Sequence, residues 1–197
     1  MQRWQSLLEE IRVPGSGRLY TFSEEEIVSF EALHGITLPK DYRDFCKTFG
    51  SGSVGSSLTI YCLPGDQSDV ADFRQEMEDS KDVEGSELSY RIRDGEALDL
   101  TTTSRILDHA FVFGHTDGGE SLIWDLQSYS STDDSYDIYM TRLEDFPGVS
   151  KVGRNFFEFV QLYGLGIGDS SHLPDWTQHN PDGVGKTFEP YGSRTDY

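Results

Sequence analysis

With 197 residues, 13% of them aromatic, and only two cysteines, the chain can bury a substantial core as one large domain or two small ones without disulfide support. Its 35 acidic residues outnumber 16 basic ones, a formal charge of −19 that argues against nucleic acid or an anionic membrane as a partner. A basic protein is the natural complement, the bland alternative being that the charge only keeps the protein dispersed.

Met1 to Arg12 reads as an amphipathic helix with Trp4, Leu7, Leu8 and Ile11 on one side. Arg3, Glu9, Glu10 and Arg12 interrupt it, so a secretory signal or a membrane span is not expected. Pro14 to Gly17 is a turn. Ser23-Glu-Glu-Glu26 has capping-box spacing, and the helix behind it is expected to turn Ile27, Phe30 and Leu33 inward, with His34 at its C-terminal end beside Gly35. A second short helix follows, with Pro39 suited to its first turn and Leu38, Tyr42, Phe45, Cys46 and Phe49 on one face. Gly50 and Gly52 are expected to stop it. Leu58 to Cys62 alternates as a strand ended by Pro64-Gly65. Cys46 and Cys62 both read as small buried hydrophobes, which fits a reducing, cytoplasmic compartment.

Asp66 to Glu84 is expected to contain a helix with Val70, Phe73 and Met77 inward. Twelve acids and four bases lie between Asp66 and Asp99, making this the most polarised surface candidate. Ala110 to Phe113, Ser121 to Leu126 and Tyr136 to Thr141 read as strands with short connections, which favours antiparallel pairing. Asn155 should cap a helix carrying Phe156, Phe159, Val160 and Tyr163 on one face, closed by Gly164 to Gly168. The fold class that follows is α+β, a mainly antiparallel sheet flanked by helices. The division expected is a domain over 1–167 and an irregular C-terminal tail over 168–197, rich in Asp, Gly, Pro and Ser.

Three blocks together resemble the SMI1/KNR4 (SUKH) superfamily. They are the Leu38-Pro-Lys-Asp-Tyr-Arg-Asp-Phe45 helix with its Gly-rich turn, the run from Ala110 through Gly114 and the Asp-Gly-Gly turn to Trp124-Asp125, and Val152 to Val160 as a closing helix. The motifs span about residues 20 to 163, and depart from the family at Phe49-Gly-Ser-Gly52, where many members carry Asn-Gly-Gly. The resemblance implies structural roles for Leu38, Pro39, Tyr42, Phe45, Gly50, Gly114 and Trp124. Gly50 and Gly114 are expected in turns, and Tyr42 and Trp124 as core rather than ligand contacts.

Signals for chemistry are weak. Gly50-Ser-Gly-Ser-Val-Gly55 satisfies G-x-G-x-x-G but lies between a helix and a strand, the reverse of the order that seats a phosphate on a helix N-terminus. His109, His115, Asp117 and Glu120 crowd one turn without metal-ligand spacing, His172 and His179 sit in the tail, and no serine elbow or base-paired cysteine is visible. No cofactor, metal or catalytic residue is therefore expected. The family resemblance implies binding: its members include bacterial immunity proteins that neutralise toxins and fungal interaction hubs. The acidic charge suits a cognate toxin of the basic nuclease type, met by Asp72, Glu76, Glu78, Asp79, Asp133, Asp134 and Tyr136. Two readings stay open beside it, a general interaction scaffold and a small-molecule or metal enzyme built on the Asp117 to Glu120 turn.

Overall fold

The apolar stripe of Tyr42, Phe45, Cys46 and Phe49 sets the architecture, because a helix with that stripe must lie on a sheet of comparable apolarity. The computed structural model describes residues 1–15, 18–55, 57–65, 67, 70–72, 75, 100–142, 148–169 and 185–191. Three helices come first: α1 (Gln2–Glu10), α2 (Glu24–His34) and α3 (Lys40–Thr48). Ser23 and Glu26 form the reciprocal capping box at the start of α2, and Gly35, at φ 65°, ends it in the left-handed conformation. Pro39 stands just ahead of α3 rather than inside its first turn, with its fixed φ of −56° leading into the helix.

The strands are β1 (Gly52–Val54), β2 (Leu58–Ile60), β3 (Ala110–Thr116), β4 (Ser121–Ser130), β5 (Ser135–Arg142), β6 (Gly148–Gly153) and β7 (Phe188–Pro190). They form one sheet of order β6-β5-β4-β3-β2-β1-β7 in which every pairing is antiparallel. The first six strands are a sequential antiparallel meander, joined by short connections except between β2 and β3, where residues 61–109, including a helix at Leu100–Leu107, intervene. On one face Ile60, Phe113, Leu122, Trp124, Ile138, Met140 and Val152 meet α1, α3 and α5 (Phe156–Phe159) in the main core. Asn155 caps α5 through the Glu158 N–H, and the helix widens into a π turn over Val160–Gly164. On the other face α4 (Leu100–Leu107) lays Ile106 and Leu107 over Val112, Ile123, Tyr139 and Val149, joined by half-buried Val70.

Several expectations need correction. Leu33, expected inward, is 80% exposed, since only Ile27 of α2 is fully buried. Gly114 lies within β3 at a bulge rather than in a turn; a Cβ there would collide with the Thr59 carbonyl oxygen of β2. Gly50 does occupy a turn, at φ 76°, and a Cβ would strike the Tyr20 carbonyl. Gly52 opens β1 instead of ending α3. Helix α4 and strand β6 were not foreseen, and part of the segment read as an irregular tail is ordered into β7. Phe188 of that strand is fully buried against Phe45 and Phe49. The inward positions expected at Phe73 and Met77 lie outside the described residues. Among the described residues no helix is long and apolar enough to cross a membrane.

Candidate partner-binding surface

Of the acids singled out from the sequence, the structure describes Asp72, Asp133 and Asp134. Asp72 is exposed on a helical turn at residues 70–72, while Glu76, Glu78 and Asp79 lie outside the described residues. Asp133 and Asp134 stand in the turn between β4 and β5, on the rim of an open cleft of about 810 Å³. The start of α1, the start of α3 and Asn155 complete that cleft.

Charge in the cleft is largely matched. Arg154 donates through Nε to Asp133 at 2.7 Å and through Nη1 to Asp137 at 2.6 Å, and its remaining N–H groups reach the carbonyls of Ser128 and Ser135. These bonds from Arg154 hold the Asp133 carboxyl well below the usual range, and Asp133 in turn raises the guanidinium. Asp134 accepts from the Lys40 backbone N–H at 3.1 Å and from the Tyr129 hydroxyl at 2.8 Å, the latter bond raising the Tyr129 pKa. Asp134 thus caps the first turn of α3 from 94 residues away in sequence. Arg3 pairs with Asp41 on the opposite wall.

Beneath the cleft floor lies Asp44, only 4% exposed, which accepts from the Met1 ammonium and, at 2.6 Å, from Lys40. Burial alone would raise this carboxyl, but those two charge-assisted bonds outweigh it and hold the pKa at about 2. Asp44 therefore ties α1 to α3. Tyr136, expected to touch a partner, is 4% exposed and stacks on Trp124 at 5.9 Å, so its ring supports the loop from within. The acids at 133 and 134 are accordingly committed to folding the loop, and only their outward lone pairs remain for another molecule.

The family-motif residues converge on a different place. Leu38, Pro39, Tyr42, Phe45, Gly50, Gly114 and Trp124 are all buried. Tyr42 meets Trp124 edge-to-face at 4.8 Å, and Trp124 stacks on Phe113 at 4.5 Å. The Tyr42 hydroxyl bonds the backbone of Tyr61 and Leu63, pinning α3 to the end of β2.

The SMI1 / KNR4 family (SUKH-1) model matches residues 21–162, well over half of the chain. The chain belongs to the SMI1/KNR4 family. Neither the curated proteins nor the solved structures contain a match to it. The family region runs from the approach to α2 into the π turn, so α1 and β7 lie outside it. Those two outer segments join each other: Arg12 donates to the Lys186 carbonyl at 2.9 Å and Phe188 donates back to Arg12 at 3.0 Å. Around the SMI1/KNR4 region they add Trp4 and Phe188 to its core.

Chemistry has little support on this scaffold. The Asp117 to Gly119 segment is the turn of the β3–β4 hairpin, and the Glu120 carboxylate accepts from the Thr116 hydroxyl within it. Among the described residues no three His, Cys, Asp or Glu side chains are placed to hold a metal ion. Cys46 and Cys62 are buried thiols, and burial pushes the Cys62 thiol up, away from nucleophilic reactivity. The G-x-G-x-x-G stretch forms a bend and strand β1, so its amides pair with β2 and β7. Arg154, whose guanidinium pairs with the acidic loop, and the Lys40 backbone N–H, which bonds Asp134, escaped sequence reasoning because their partners are far away in the chain; Asn155 as a helix cap was the sole nearby signal.

Proposed function

We propose that this SMI1/KNR4 protein is an immunity-type binding protein that neutralises a cognate toxin, one with the basic surface of a nuclease. Family membership supports a binding role, since the family includes immunity proteins. The observation that carries the finer reading is the excess of 35 acids over 16 bases on that scaffold. A basic substrate channel is what such a surface would cover, and long-range attraction would speed capture before damage accumulates. Asp72 and the acidic stretch behind it, with Glu76, Glu78 and Asp79, are proposed as the steering charges. Asp133 and Asp134 have a smaller share because Arg154, Lys40 and Tyr129 already engage them.

The test is co-production in cells with the C-terminal toxin domains encoded in the same genome. Restored growth against one of them, with a complex that co-purifies, is the expected result. Lack of protection against every such domain would overturn the reading. Within a protective pair, association should slow as added salt shortens the Debye length from ~10 Å at 0.1 M to ~3 Å at 1 M. Changing Glu76, Glu78 and Asp79 to Lys should slow it further.

A further inference from the structure

Helix α2 buries Ile27 and rests Phe30 and His34 on Phe111, at ring distances of 6.1 and 6.3 Å. Its opposite side carries two exposed apolar side chains as well. Val28 is 50% and Leu33 80% exposed, and Glu25, Ser29 and Ala32 are exposed with them. At about 100° per residue these five positions occupy one arc of about 140°, with Val28 and Leu33 at its flanks and the small Ser29 and Ala32 between them. Both ends of the helix are fixed, by the Ser23–Glu26 capping box and by Gly35. The face is thus presented on a helix that is already formed, which lowers the ordering cost a partner must meet.

Resting on the proposed immunity role, we infer that the outer face of α2 is the apolar centre of the toxin contact, seated in a shallow apolar groove of the toxin flanked by basic residues. The chemistry of that occupant follows from charge. A second copy of this chain would carry the same formal net charge of −19, and that mutual repulsion opposes self-association. At the N-terminal end of the face, Glu24 is engaged by Arg43 and Lys47 and Glu26 by the cap, whereas among the described residues Glu25 makes no ion pair. Glu25 therefore offers its charge outward, next to Val28, where a basic residue on the groove rim can reach it. Small residues at the middle of the arc let another backbone approach, and the two large ones at its flanks supply the desolvated anchors that dominate such contacts.

The probe is the inactive form of the toxin domain against which the protein protects, titrated into the full chain and its variants. Leu33→Asp and Val28→Asp should each weaken binding by about 30-fold or more, chiefly through faster dissociation, because a buried charge replaces an anchor. Leu33→Met should bind like the parent, and Glu25→Lys should slow association several-fold. Melting temperatures should stay close to the parent's, most closely for Leu33→Asp, whose parent side chain is the more exposed. Binding by both aspartate variants within twofold of the parent, while the parent protects, would overturn the α2 contact and leave the immunity role standing. A parent that protects against no toxin domain removes both. Dimerisation of the parent that Leu33→Asp abolishes would instead assign this face to a second copy and equally overturn the inference.

Discussion

Helices α2 and α3 are neighbours in the chain and similar in length, yet they distribute apolar surface in opposite ways. Five of the nine residues of α3 are buried, against one of eleven in α2. On α3 the apolar residues share one stripe, and of the charged ones only Asp44 is buried, paired with Lys40 and the Met1 ammonium, so the stripe is buried at little cost. On α2 apolar residues go all round the helix, so no orientation can bury them together. What holds α2 in place is the burial of Ile27, the packing of Phe30 and His34 on Phe111, its caps, and the ion pairs of Glu24 and Glu31 with Arg43 of α3. This domain thus commits α3 to its core and keeps most of α2 outside it.

If that contrast is right, the largest loss of stability should come from the α3 side. Phe45→Ala, or Trp124→Ala across the same contact, should cost ~3 to 5 kcal/mol in urea melts, because each ring is fully buried among other rings. A loss below 1 kcal/mol would take that residue out of the core. Asp44→Asn should cost about 2 kcal/mol, the worth of holding a carboxyl near 2 instead of its ordinary 3.8. The sign sets a pH window. Asp44 contributes fully above pH 4 and loses its contribution as the pH falls towards 2, so the parent should weaken over that range and the variant should weaken less. Equal acid profiles would detach Asp44 from the α1–α3 junction.

Ser23→Ala should cost about 1 kcal/mol, as for an N-cap, and should loosen α2 before any other described element. Smallest of all, Leu33→Asp should shift stability by no more than ~0.5 kcal/mol, as exposed sites do. A marked drop in its melting temperature would mean that the outer face of α2 is covered.

The stripe of α3 was legible because it buries one helix face, and β3, β4 and β5 because their apolar runs are short and bounded by turn residues, although both of their faces are covered. Helix α4 was hidden by Leu100-Thr-Thr-Thr-Ser104, a run that favours other conformations locally and is overridden by the burial of Ile106 and Leu107. In β6, Val149 and Val152 face opposite sides of the sheet, one in each core, so no single-face pattern marks the strand. β7 offers Phe188 alone. At the surface, burial of Tyr136 and the pairing of Asp133 with Arg154 depend on contacts between distant residues, which no local spacing records. Leu33 was misplaced because helical spacing places residues relative to one another but leaves open which face meets the sheet.

Amide hydrogen exchange across α2 and α3, with and without the toxin domain, tests this division of labour most directly. Helix α2, with one buried side chain, should exchange faster than α3 in the protein alone and slow markedly in the complex, while α3 stays protected in both. Unchanged exchange over residues 24–34, with protection appearing at other surfaces instead, would contradict the account.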